Sequence, residues 1–114
     1  MEAIQQPVKD FLIPYNNARD EFLKYINEDN KFSIVLIGDG CNGKTFLLKE
    51  CSQFLKHYTV DESIGDFAKE AINKLKNTHN LITSCYFDPY KKYNLEVPDH
   101  VKIIDMSNIK ATKL

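Results

Sequence analysis

The chain has 114 residues, of which 43% are hydrophobic and 27% charged, enough apolar material for one compact domain with a polar surface. A formal net charge of −1 supplies no electrostatic footprint for sequence-independent nucleic-acid binding, so a nucleic-acid partner is unsupported by charge. No apolar run approaches the roughly 20 residues that span a bilayer, and Met1 to Lys9 lacks the layout of a secretory signal; the expectation is an intracellular protein of cytoplasm or nucleus with no membrane partner.

Residues 1–15 carry Pro7 and Pro14 around Phe11-Leu12-Ile13, which reads as an extended lead-in. Asn16 or Asn17 is placed to cap a helix from about Ala18 to Asn27, with Phe22, Leu23 and Ile26 on one stripe. Phe32 to Ile37 is a short apolar run ending at glycine, suited to a strand buried on both faces of a parallel sheet. Lys44 to about Lys56 has helical periodicity, followed by the β-prone piece Tyr58-Thr59-Val60.

A second amphipathic helix is marked by Ile64, Phe67, Ala68, Ala71, Ile72 and Leu75, with Ser63 and Asp66 spaced like a capping box. Leu81 to Phe87 reads as a strand closed by Asp88-Pro89, residues 90–100 as a polar loop, and Val101 to Ile104 as a last strand. Strands alternating with helices predict an α/β fold with a small, mainly parallel sheet flanked by helices. The expected organisation is one domain: residues 1–31 as lead-in and N-terminal helix, 32–106 as the α/β core, and 107–114 as tail.

Cys41, Cys51 and Cys85 have no paired spacing, and His57, His79 and His100 are scattered, so reduced thiols are expected and a metal site built from them is not. Arg19 is the only arginine. That matters because phosphoryl-transfer sites generally rely on guanidinium groups.

Gly38-Asp39-Gly40-Cys41-Asn42-Gly43-Lys44-Thr45 matches the P-loop pattern GxxxxGK[ST]. Glycine allows the backbone to turn successive N–H groups toward one anion. Lys44 would place a compact charge on the β- and γ-phosphates, Thr45 a hydroxyl on Mg²⁺, and the helix start through Phe46 further N–H groups. Three of the four glycines in the chain, Gly38, Gly40 and Gly43, fall within this motif, and it lies between an apolar strand and an amphipathic helix. ATP with Mg²⁺ is the expected ligand. The motif also requires an acid at the end of a neighbouring strand. Asp61-Glu62 is preferred as an acidic pair, with Asp105 and then Asp88 as alternatives for the metal.

The chain resembles AAA+-like and superfamily 3 helicase-like ATPases of large DNA viruses over roughly residues 30–106. FSIVLIGDGCNGKTFLL looks like their first strand and Walker A loop, YTVDES like their Walker B strand, LITSCYFDP like their sensor strand and VKIIDMS like the last core strand. The resemblance implies Mg²⁺ coordination by Asp61 with Thr45, water activation by Glu62, and catalysis with Lys44. It also implies a homo-oligomer that supplies arginine in trans. Cys85 departs from the sensing asparagine, leaving Thr83 or Ser84 for that role.

Three functions are compatible with these residues: slow ATP hydrolysis by a minimal P-loop NTPase, a non-catalytic nucleotide switch or assembly module, and a nucleoside or nucleotide kinase. A GTPase is disfavoured, because Asn73-Lys74-Leu75-Lys76 lacks the aspartate a guanine reader needs. Tyr15 with Phe11 to Pro14 lines an adenine pocket or, preferably, straps the core. Tyr86, Tyr90 and Tyr93 stack on bases or, preferably, pack on the surface.

Overall fold

The computed structural model describes residues 2–27, 32–38, 43–65 and 68–109, with side chains of 2–12 and 63–65 outside that description. The elements are α1 (Glu2–Ile26), β1 (Ser33–Ile37), α2 (Lys44–Glu50), a 3₁₀ turn (Ser52–Phe54), β2 (Thr59–Gly65), α3 (Ala68–Asn77), β3 (Leu81–Cys85), α4 (Pro89–Lys92) and β4 (Val101–Asp105). The four strands form one sheet in the order β2-β3-β1-β4, and every pairing is parallel. All the carboxyl ends therefore lie along one edge, where ligands of parallel α/β sheets bind.

The period-2 alternation of strands divides the core in two. From β1, Ile34 and Leu36 join Ile82 and Ile104 on one face, packed with Tyr15, Ala18, Phe22 and Ile26 of α1 and Leu47 and Leu48 of α2. Val35 and Ile37 point the other way, where Leu81, Cys85 and Val101 meet Ala71 and Leu75 of α3 and Tyr90 of α4. All of β1 is buried, as a central parallel strand covered on both sides should be. The Ser33 hydroxyl accepts from the Leu81 N–H at 3.0 Å and so fixes β1 against β3 within this apolar interior.

Four boundaries differ from the sequence expectation. Residues 1–15 are not an extended lead-in: α1 runs from Glu2 to Ile26 through both prolines. The cost of the N–H that Pro14 lacks is offset by a stripe in which Tyr15, Ala18, Phe22 and Ile26 are all buried. The first crossover helix ends at Glu50 and gives way to the 3₁₀ turn. The strand predicted at residues 58–60 continues to Gly65, so Ser63 lies in β2, while Asp66, its partner in the expected capping box, lies outside the described residues before α3 at Ala68. The polar loop after β3 opens with α4, which Asp88 caps by accepting from the N–H groups of Tyr90 and Lys91 at 2.9 and 3.2 Å, while Pro89 occupies a first-turn position that needs no donor.

Candidate functional site

Gly38 directly follows β1 at the carboxyl edge, and its N–H donates to the Cys85 carbonyl at 2.9 Å, tying the start of the GxxxxGK[ST] motif to β3. Asp39, Gly40, Cys41 and Asn42 lie outside the described residues. Gly43 has φ 83 and ψ 11, in the left-handed region where the lack of a Cβ removes the steric cost. From this residue the chain enters α2, with the Leu47 N–H donating to the Gly43 carbonyl at 2.8 Å. No side chain caps the first turn of α2 and no acid lies within it, which keeps its positive end compatible with an anion.

Lys44 reaches back from that first turn. Its Nζ donates to the Gly38 carbonyl and stands 5.6 Å from the centre of the Tyr86 ring. The ammonium group is thereby held at the carboxyl edge between β1 and the end of β3. Thr45 is exposed, and its hydroxyl donates to Glu62 Oε1 at 3.0 Å. This bond spans 17 positions in sequence and brings the last residue of the P-loop motif to the acid of β2. Phe46 is 55% exposed, with its ring 5.6 Å from that of Tyr15.

Asp61 and Glu62 do not act from the same place. Successive residues of a strand point to opposite faces: Glu62 meets Thr45 of α2, whereas Asp61 forms an ion pair with Lys74 of α3. Hydrogen bonding to Asp61 raises the Lys74 pKa, with burial opposing it. The Asp61 carbonyl also accepts from the Thr83 hydroxyl at 3.0 Å. Thr83 is therefore a brace between β2 and β3, and Ser84, next along β3, alternates to the face of Glu62.

The alternative acids are occupied differently. Asp88 caps α4, and Asp105 accepts from the Ser107 N–H at 2.9 Å. Both line a cavity of about 280 Å³ at the carboxyl edge, on the α3 and α4 side of the sheet. Among the described residues, no group of three or more His, Cys, Asp or Glu side chains is disposed to hold a metal ion. Thr45 and Glu62 alone offer two hard oxygen ligands, which suits Mg²⁺ if phosphate oxygens and water complete its shell.

Several neighbouring residues prove structural. Tyr15 is 2% exposed, and its hydroxyl donates to Glu50 at 2.8 Å; burial, then the Glu50 bond, raises its pKa. It belongs to the core, as the strap reading expected. Tyr90 is buried, leaving Tyr86 and Tyr93 as the exposed members of the tyrosine cluster. Cys85 is buried and its thiol is pushed up to about 11, by burial against the opposing influence of Lys44. Arg19 stands 3.6 Å from Glu50 and 3.8 Å from Asp20, all on α1 or α2. Sequence reasoning missed the separation of the two acids, although strand alternation through Thr59–Gly65 carries the signal. It also missed Tyr86 as a neighbour of Lys44, a contact with no local signature.

No helix among the described residues is long and apolar enough to cross a membrane. Comparisons with known protein families, with curated proteins and with solved structures returned no match.

Proposed function

We propose that this chain is a minimal P-loop nucleotide-binding protein that takes ATP with Mg²⁺ and hydrolyses it slowly. The observation that carries the reading is the Thr45–Glu62 hydrogen bond, which joins the hydroxyl of the GKT sequence to an acid on a strand separated from β1 by β3. Lys44 would exchange the Gly38 carbonyl for the β- and γ-phosphates. Thr45 and Glu62 would hold Mg²⁺, directly or through its water shell, and when bound the ion would neutralise charge on the transferring phosphate. Kinship with AAA+-like and superfamily 3 helicase-like ATPases belongs to the same proposal, supported by the position of the GKT sequence at the start of α2.

The division of labour differs from the one the resemblance implies. Glu62 takes the metal side, and Asp61 is engaged with Lys74 behind the sheet. Neither leaves β2 with a second carboxylate to activate water. Arg19, the only arginine, is held beside Glu50, and an arginine finger contributes ~10³–10⁵ in rate to such reactions. Slow turnover follows on both counts. The same features favour, as a second reading, a nucleotide switch whose output is binding and not hydrolysis. ATP is preferred to GTP, because Asn73-Lys74-Leu75-Lys76 lies on α3 with Lys74 paired to Asp61 and Leu75 in the core.

The test is nucleotide binding titrated with Mg²⁺. Glu62→Gln should raise the Mg²⁺ requirement about 10- to 100-fold, the usual cost of losing a group that supports a metal, while Asp61→Asn leaves it near the parent value. The reverse pattern would return the metal to Asp61 and remove the proposed role of the Thr45–Glu62 pair.

A further inference from the structure

Among the described residues, those that line the cavity on the α3 and α4 side of the carboxyl edge include none of Gly38, Gly43, Lys44, Thr45 or Glu62. Its floor is apolar, from Ile37 of β1 and Ile103 of β4, and its walls carry Tyr86, Asp88, Lys91 and Asp105. At about 280 Å³ it lies at the lower end of the roughly 300–1,000 Å³ typical of small-molecule sites, a size for one nucleoside or sugar and too small for a dinucleotide or a peptide. An apolar floor with a few polar groups is the usual composition of such sites.

The lining defines the chemistry of the occupant. Two carboxylates against one ammonium disfavour an anion, so a compound that is already phosphorylated fits poorly. Carboxylates accept from hydroxyl and amino groups, and Lys91 donates. Asp88 uses Oδ1 for both of its helix-capping bonds, so Oδ2 is not taken up by the cap. Tyr86 is 51% exposed and presents a ring for a planar base. The same ring lies 5.6 Å from Lys44 Nζ, which places this cavity beside the lysine assigned to the phosphates.

We infer that this cavity binds a neutral nucleoside as phosphoryl acceptor. The inference rests on the triphosphate reading above and gives that site a second substrate in place of water. A hydroxyl oxygen of the nucleoside forms the new bond to the γ-phosphorus. The bond from that phosphorus to the β,γ-bridging oxygen breaks, and its electron pair leaves with ADP. The hydroxyl proton passes to the carboxylate of Asp88. The products are ADP and a nucleoside monophosphate.

The experiment incubates the full chain with ATP and Mg²⁺ and separately with common ribonucleosides, deoxyribonucleosides and hexoses, following ADP and phosphorylated product by phosphorus NMR. ATP binding is measured in parallel with a fluorescent analogue. The expected result is ADP release accelerated more than about tenfold by a nucleoside held next to the phosphate, with matching nucleoside monophosphate. Asp88→Asn should lower that transfer by ~10²–10⁴-fold, the range for loss of a general base. Asparagine caps a helix as well as aspartate does, so the melting temperature should stay close to the parent's. ATP binding without a phosphorylated product from any compound overturns the acceptor site and leaves the triphosphate reading standing. Product from a hexose alone overturns the nucleoside assignment, and full transfer by Asp88→Asn overturns the role of Asp88. Absence of ATP binding overturns the triphosphate reading and this inference together.

Discussion

The two faces of the sheet are built to different standards. Among the described residues, fifteen buried ones form one cluster on the side of α1 and α2, and eight form another on the side of α3 and α4. The larger face seats α2, so the helix that carries Lys44 and Thr45 rests on Leu47 and Leu48 against the main core. The smaller face is covered by a ten-residue and a four-residue helix, and its carboxyl end is where the cavity lies. Close packing beneath α2 and a cavity beside α4 thus lie on opposite sides of the same strands. Asp61 and Glu62 show the same division within two residues: one acid braces α3, the other meets the phosphate-loop helix.

The strongest challenge to this contrast is removal of an α1 anchor. Phe22 is fully buried in the larger cluster, and Phe22→Ala should destabilise the fold by about 3–5 kcal/mol, measured by denaturant unfolding. A loss below about 1 kcal/mol, the level of ordinary surface substitutions, would separate α1 from the core.

The smaller face makes its own prediction through Cys85. Burial raises this thiol from 9.0 to about 11, so the folded state favours the protonated form. The associated stability is complete below pH 9 and is lost as pH rises toward 11. Tyr90 on the same face and Tyr15 and Tyr58 on the other are shifted in the same direction, each first by burial. Cys85→Ala should therefore make the decline between pH 9 and 11 shallower without abolishing it. An unchanged slope in thermal melts would show that the thiol does not titrate there.

A smaller effect concerns Tyr58. Among the described residues its hydroxyl is buried without a hydrogen-bond partner, a condition that costs about 1–3 kcal/mol. Tyr58→Phe should accordingly stabilise the larger face by up to that amount. Destabilisation would reveal a partner for the hydroxyl.

Much of this arrangement is legible in the residues. The apolar runs at β1, β3 and β4 mark buried parallel strands, and Ala68, Ala71 and Leu75 mark the inner stripe of α3. Pro7 and Pro14 conceal α1, because local backbone preference is outweighed there by the tertiary burial of Tyr15, Ala18, Phe22 and Ile26. The acids in Thr59–Gly65 conceal the length of β2, since Asp, Glu and Ser before a helix also read as its N-terminus. Ile109 gives no periodic signal in the tail, yet it is buried with the larger cluster. The phosphate-loop motif is local and therefore visible. The cavity is not, because Asp88 and Asp105 come together only when β3 and β4 flank β1.

The most direct test of the central claim is equilibrium binding of Mg·ATP to the parent chain and to Lys44→Ala. A hydrogen bond to a charged group contributes about 1.5–3 kcal/mol, so affinity should fall roughly 10- to 100-fold while the melting temperature without nucleotide changes little. Equal affinity in the two proteins would contradict the assignment of Gly38 to Thr45 as a triphosphate site.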